Sequence, residues 1–185
     1  MKNSNFLNIR YNANCALPSD INAHLPTLKK YAERCEHITE LGVRGIVSTW
    51  AFLMGMPKTL ISVDIVNPET IGHNLQEVYD CAKDLNIDFK FILGNDLEIE
   101  LEQTDLMFID TLHTYDHLKK ELTLLSSKVN KYIILHDTVA FGIQGEDNGK
   151  GLLQAMIEFL KENKNWKIEE QFFYNNGLTI LSKQY

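Results

Sequence analysis

Glu40-Leu-Gly-Val-Arg-Gly-Ile-Val-Ser-Thr-Trp50 is the stretch that decides the fold, because it places an acid and two glycines between an apolar run and a helical one. Residues 37–41 before the turn are typical of a strand, and residues 47–55 are typical of a helix. Glycines at such a junction permit dihedrals that a Cβ forbids, and they let backbone N–H groups approach a ligand. Taken alone, the stretch is equally typical of an ordinary tight turn.

The same strand-then-helix alternation recurs along the chain. It predicts strands over 59–65, 88–93, 106–110 and 131–135, and helices from residue 67 to about 85, over 115–127 and over 152–162. Two strand-like runs, 166–174 and 177–182, flank Asn175-Asn-Gly177, a strong hairpin signal. Five alternations followed by a hairpin predict an α/β protein with a mostly parallel sheet and an antiparallel edge strand.

The first residues carry a weaker signal. Residues 1 to about 20 are rich in asparagine without a clear period, which favours an arm or a loosely packed cap. Ser19-Asp20 could cap a helix through about Cys35, in which Pro26 is tolerated only near the first turn. We therefore expect an N-terminal arm and cap helix over 1–35 and one domain over 36–185.

Composition limits the classes of function. The chain has 185 residues, 44% of them hydrophobic, and a formal net charge of −7 with scattered lysines, which argues against a nucleic-acid partner. Cys15, Cys35 and Cys81 lack metal-binding spacing and are typical of reduced cytoplasmic thiols. Without a signal peptide or an apolar run of about 20 residues, we expect a cytoplasmic protein with no membrane partner.

Polar residues recur where the predicted strands end. They are Glu40 and Gly42, Asp64, Asn95 and Asp96, Asp110 and His113, and His136 and Asp137. Any one of these acids could be a helix cap. Because open parallel sheets bind ligands beyond the carboxyl ends of their strands, five such coincidences predict a single cleft.

Asp64 occupies the position at which a carboxylate can accept both hydroxyls of a ribose. A nicotinamide dinucleotide would normally require G-x-G-x-x-G, whereas this loop has only Gly42 and Gly45. The missing third glycine weakens a dehydrogenase hypothesis. An acid at Glu40 fits a cationic cofactor better than a pyrophosphate.

Taken in order, the motifs resemble the class I methyltransferases that use S-adenosylmethionine, specifically their small O-methyltransferase branch with its sugar and cephalosporin-type enzymes. The resemblance covers about residues 36–185 and is carried by segments 40–49, 62–64, 94–96, 108–115, 136–138 and 176–181. It implies a Rossmann-like, doubly wound seven-stranded sheet of order 3-2-1-4-5-7-6 with the last strand antiparallel. The first motif departs from the family at Ile46, where relatives often have glycine.

The resemblance also implies a binding site for S-adenosylmethionine. Gly42 and Gly45 would form the backbone platform for the methionine part, Asp64 would bind the ribose, and Asn95 or Asp96 would lie beside the adenine. The implied cofactor-binding set is completed by Glu40, Ser48 and Asp110.

Asp110, His136 and Asp137 are candidate metal ligands, because the fourth and fifth strands are neighbours in this fold. Metal-dependent relatives carry an acid at the position of His136. The imidazole disfavours Mg²⁺ and leaves room for Mn²⁺, another nitrogen-tolerant ion, or no metal. In the alternative, Asp137 caps the following turn while His136 orients the substrate.

His113 is the candidate general base, because an unperturbed imidazole pKa of about 6.5 lets it take a proton from a hydroxyl near neutral pH. His117, one turn farther along the helix, is expected to face solvent. The glycine-rich loop 141–150 could be a mobile lid or an exposed structural loop.

The predicted reaction is O-methylation of a small-molecule or sugar hydroxyl by in-line displacement. Two alternatives remain open: methylation of nitrogen or carbon, although the Asn/Asp-Pro-Pro-Tyr signature of amino methylation is absent, and a partner subunit that binds S-adenosylmethionine without catalysis. The sequence identifies neither the acceptor nor the oligomeric state, for which a homodimer is one option.

Overall fold

A seven-stranded sheet forms the centre of the molecule. The computed structural model describes residues 2–184, with side chains described from residue 5 onward. The strands are β1 (His37–Leu41), β2 (Thr59–Asp64), β3 (Asp88–Leu93), β4 (Thr104–Ile109), β5 (Val129–His136), β6 (Trp166–Phe172) and β7 (Leu178–Lys183). Their order, β3-β2-β1-β4-β5-β7-β6, confirms the prediction.

The direction of the strands is also as the resemblance implied. The pairings among β1 to β5 are parallel, and β7 runs antiparallel to both β5 and β6. The antiparallel strand β7 therefore lies one place inside the sheet, and β6 forms the edge. The alternation of strands and helices alone had placed the antiparallel strand at the edge. Asn175, Asn176 and Gly177 all have positive φ and make the turn between β6 and β7.

Helices cover both faces of the sheet, as expected for a doubly wound fold. They are α1 (Lys2–Ala16), α2 (Leu25–Ala32), α3 (Val47–Met54), α4 (Leu75–Asp84), α5 (Tyr115–Leu125) and α6 (Leu152–Glu162). Along β4, Phe108 packs in the core beneath α1 to α4, whereas Met107 packs in the core beneath α5 and α6. Side chains on a strand alternate between its two faces, so each strand contributes to two cores.

The N-terminal segment, expected to form an arm or a loosely packed cap, is helical. It forms α1, which buries Leu7 and Tyr11 in the same core as Ile38 of β1. Only a few apolar side chains supply this contact, and the intervening asparagines hide the helical period. The proposed domain boundary at residue 35 stays a prediction.

The predicted helix from Ser19-Asp20 to Cys35 is divided in two. A 3₁₀ turn, Asn22–His24, precedes α2, and Pro26 lies in the first turn of α2. Proline lacks an N–H and clashes with the preceding turn, so a regular α-helix can begin only just before it. Within residues 2–184, no helix combines the length and apolar character that a membrane span needs.

Candidate functional site

One large cavity, of about 840 Å³, opens at the carboxyl ends of the parallel strands. The predicted site residues that line it are Gly42, Gly45, Ser48, Asp64, Asn95, Asp96, Asp110, His113 and Asp137. The structure therefore brings together residues from the ends of all five parallel strands. Glu40 and His136 lie behind this lining.

The glycine loop fits tightly against the end of β4. Gly42 has φ +86°, and a Cβ built on it would lie 1.9 Å from the carbonyl oxygen of Asp110. The Gly42 N–H donates to the carbonyl oxygen of Val63, and the Asp110 N–H donates to that of Leu41. Only glycine fits here, so the loop and the neighbouring strand end form one rigid floor.

Ile46, where the methyltransferases that the sequence resembles often have glycine, has a strained backbone conformation. Ile46 precedes α3 with φ 59° and ψ 33°, a left-handed conformation that β-branched residues rarely adopt. Its side chain is buried. The loop thus keeps a conformation that suits glycine, and burial of the side chain offsets the strain.

Asp64 holds the glycine loop through backbone hydrogen bonds. Its Oδ2 accepts the N–H groups of Val43 and Arg44, each at 2.8 Å, and its Oδ1 accepts the Val66 N–H at 2.8 Å. A carboxylate has about four acceptor positions, so one position on Oδ1 remains for a further donor. The arrangement is compatible with a ribose contact, which stays a prediction.

Glu40, predicted to be one of the cofactor-binding residues, does not line the cavity, and its part in cofactor binding stays a prediction. The carboxylate is fully buried and accepts hydrogen bonds from the hydroxyls of Ser48 (2.5 Å), Thr49 (2.8 Å) and Ser62 (2.6 Å). Burial raises its pKa to about 7, although the three hydroxyl donors oppose the shift. The side chain therefore ties β1 to the start of α3 and supports the loop from below. Ser48 takes part in this network from a position on the cavity wall.

Two aspartates and two histidines form a cluster at the ends of β4 and β5. His113 Nε2 lies 2.8 Å from Asp137 Oδ2 and 3.4 Å from Asp110 Oδ1. His136 Nδ1 lies 3.1 Å from the same Asp110 oxygen and 3.3 Å from the same Asp137 oxygen. We call these four side chains the Asp–His cluster. The predicted candidates Asp110, His136 and Asp137 are in contact, and His113 joins them.

His136 is almost completely buried, and its two ring nitrogens have different partners. Nδ1 faces the two carboxylates, while Nε2 lies 3.2 Å from the backbone carbonyl oxygen of Asp20. A carbonyl oxygen only accepts hydrogen bonds, so Nε2 carries a proton. His136 is thereby fixed between the strand ends and the segment that precedes α2.

The protonation of the Asp–His cluster bears on the predicted role of His113 as general base, which stays a prediction. Burial alone lowers the pKa of His113 and of His136, but hydrogen bonds and charges from Asp110 and Asp137 outweigh it and raise each pKa to about 10. The same hydrogen bonds hold the pKa of Asp137 well below its usual range, despite its burial. At neutral pH both rings are cationic and cannot accept a proton until another cation displaces theirs.

The loop over residues 141–150 is docked against His113. The Phe141 ring stacks on the His113 ring with 4.7 Å between the ring centroids. Glu146 Oε1 accepts a hydrogen bond from the backbone N–H of His113 at 2.7 Å. Glu146 and Asp20 line the cavity, although neither was predicted to be a site residue. Their places on the cavity wall follow from long-range packing, which local sequence patterns do not reveal.

Two sequence comparisons give no relative of this chain: no family model matches, and a search of curated proteins finds no match. Solved structures do share its fold. A SAH-bound methyltransferase of Podospora anserina, PaMTH1, has a TM-score of 0.64 at 16% identity over 97% of this chain and 88% of that one.

Two further structures give the same result. The O-methyltransferase TomG of Streptomyces achromogenes, in complex with SAM, has a TM-score of 0.65 at 12% identity over 91% of this chain and 82% of that one. A putative caffeoyl-CoA O-methyltransferase of Staphylococcus aureus has a TM-score of 0.62 at 16% identity over 87% and 83%. This chain therefore has the Rossmann-like fold of known methyltransferases.

Proposed function

We propose that the protein is an S-adenosylmethionine-dependent methyltransferase that acts on a hydroxyl of a small-molecule or carbohydrate acceptor. The observation that carries this proposal is the cavity floor, where the glycine loop, Asp64 and Asp110 meet at the ends of three adjacent strands. The likeness to a SAH-bound and a SAM-bound structure supports the choice of cofactor.

The charge of the cavity favours a cationic cofactor. Its lining includes the carboxylates of Asp20, Asp64 and Glu146 outside the Asp–His cluster, and Arg44 is the one lysine or arginine among the described lining residues. A pyrophosphate would meet repulsion here, whereas the sulfonium and ammonium groups of S-adenosylmethionine would not. This argues against the nicotinamide alternative.

The residues present fit this cofactor. Gly42 lines the cavity, and Asp64, which also lines it, retains an acceptor position for a ribose hydroxyl. When bound, S-adenosylmethionine supplies an electrophilic methyl group on a positively charged sulfur. The chain would contribute proximity, orientation and exclusion of water, the effects on which an in-line displacement chiefly depends.

Exchange of one carboxylate tests the cofactor site. Asp64→Asn is expected to weaken S-adenosylhomocysteine binding at least about tenfold, because the asparagine amide has only one oxygen that accepts hydrogen bonds and carries no charge. Calorimetric titration would measure this, with Asp88→Asn as the control, since Asp88 is an exposed acid at the opposite end of the sheet. Unchanged affinity in Asp64→Asn, or tighter binding of NAD than of S-adenosylhomocysteine by the unaltered protein, would contradict the proposal.

We also propose that the Asp–His cluster can hold a divalent ion. Ligand atoms of Asp110, His113 and Asp137 all lie within 4.8 Å of one another, and His136 Nδ1 is within 3.3 Å of both carboxylates. Two imidazoles and two carboxylates suit Mn²⁺ or another nitrogen-tolerant ion better than Mg²⁺. Such an ion would polarise an acceptor hydroxyl, and it would first displace protons from the two rings.

Metal binding at this cluster should therefore depend on pH. Mn²⁺ affinity is expected to rise at least about tenfold from pH 6.5 to 8.5, because fewer protons then compete for His113 and His136. Electron paramagnetic resonance of free Mn²⁺ would measure the titration. Asp137→Asn should abolish the pH-dependent part of the Mn²⁺ binding. Affinity that is independent of pH would contradict a site that includes the two histidines.

A further inference from the structure

A second group of ligating side chains lies on the cavity wall, beside the Asp–His cluster. Asp96 follows β3, and His117 and Glu121 lie on α5. Residues four apart on a helix share one face, so His117 and Glu121 point in the same direction. His117 was expected to face solvent, but its side chain is only 16% exposed and lines the cavity.

The three side chains converge. His117 Nε2 lies 3.1 Å from Asp96 Oδ2 and 3.7 Å from Glu121 Oε1, and ligand atoms of all three lie within 4.8 Å of one another. Thr114 caps α5 and fixes its first turn, because its hydroxyl accepts a hydrogen bond from the backbone N–H of His117. The separations are those of groups that can bind one ion together.

One carboxylate oxygen of Glu121 lacks a hydrogen-bond partner among the described residues. Its side chain is completely buried, and Oε1 accepts the Thr111 hydroxyl at 2.7 Å, whereas Oε2 has no hydrogen-bond partner. Burial, reinforced by the Asp96 carboxylate, raises the pKa of Glu121 well above its usual value. A buried carboxylate oxygen without a donor costs free energy unless a proton or a cation neutralises it.

We propose that Asp96, His117 and Glu121 form a second divalent-cation site, with Zn²⁺ as the best-fitting ion. One imidazole and two carboxylates are ligands that Zn²⁺ accepts in tetrahedral sites with one open position. Two carboxylates balance the charge of the ion, which would satisfy Glu121 Oε2. Because Asp96 and His117 both line the cavity, the ion can enter from it. The site does not depend on the proposed methyl transfer.

The test uses the full chain with the other cluster disabled. In Asp110→Asn/Asp137→Asn protein, Zn²⁺ competition against a chromogenic chelator is expected to show one equivalent of bound ion. Adding Glu121→Gln or His117→Gln should weaken this binding at least about tenfold. Asp116→Asn, an exposed acid on the same helix, is the matched control and should leave binding unchanged.

Two further readouts separate a metal site from a structural role. Zn²⁺ should raise the melting temperature of the double variant and leave that of its Glu121→Gln derivative unchanged. Co²⁺ in place of Zn²⁺ should give visible d–d absorption without a thiolate charge-transfer band, which excludes the cysteines as ligands. The proposal is overturned if excess Zn²⁺ does not bind, if both variants bind as well as their parent, or if thiolate absorption appears. If Zn²⁺ does not bind, a proton shared by Asp96 and Glu121 is what neutralises the buried carboxylate.

Discussion

Gly42→Ala is expected to lower the free energy of unfolding by about 3 kcal/mol and to reduce S-adenosylhomocysteine binding below detection. An added Cβ would lie 1.9 Å from the Asp110 carbonyl oxygen, and the residue has φ +86°. The end of β1 would have to separate from the end of β4. Urea denaturation would measure stability, and calorimetry would measure binding.

Gly72→Ala is the matched control for this prediction. Gly72 has φ +87°, almost the same as Gly42, but nothing lies within 4 Å of a Cβ built there. The control should therefore be destabilised only by the backbone strain, about 1 kcal/mol, and should keep its affinity for S-adenosylhomocysteine. Equal losses in the two variants would show that the close approach to Asp110 does not matter.

Stability is expected to fall as pH rises from about 6.5 to 10, because the folded protein holds two protons that the unfolded chain releases. His113 and His136 have pKa values of about 10 when folded, above the ordinary 6.5. Their contribution is complete below pH 6.5 and is lost as pH rises through 10. Between these limits the two histidines should account for about two of the protons that unfolding releases, a contribution of up to about 3 kcal/mol per pH unit to the slope.

Urea denaturation at several pH values would measure this slope. His113→Gln should reduce the slope by about 1 kcal/mol per pH unit, since one of the two raised histidine pKa values is removed. His37→Gln, at an exposed position, should leave it unchanged. A slope that is the same in the unaltered protein and in His113→Gln would contradict the proposed ionic cluster.

Much of the fold was predictable because its signals are local. Apolar runs bounded by glycine, proline and asparagine gave the parallel strands, and Asn175-Asn-Gly177 gave the final hairpin. The helix α1 was not predictable, since its stability comes from packing Leu7 and Tyr11 against the rest of the core rather than from its own pattern. Tertiary contacts outweighed a weak local preference there.

The site was predictable in position but not in protonation. Parallel strands end at one edge of a sheet, so the polar residues after them had to meet. The direction of the Glu40 side chain depends on hydrogen bonds from the hydroxyls of Ser48, Thr49 and Ser62. The positions of these hydroxyls around Glu40 are known only from the structure. In the same way, the raised pKa of His113 depends on two carboxylates that converge in space rather than in sequence.

A crystal structure of the protein with S-adenosylhomocysteine tests the central claim most directly. We expect density in the cavity, with the homocysteine part against Gly42 and a ribose hydroxyl donating to Asp64. Absence of the ligand from this cavity at saturating concentration, or its binding elsewhere on the molecule, would contradict the account.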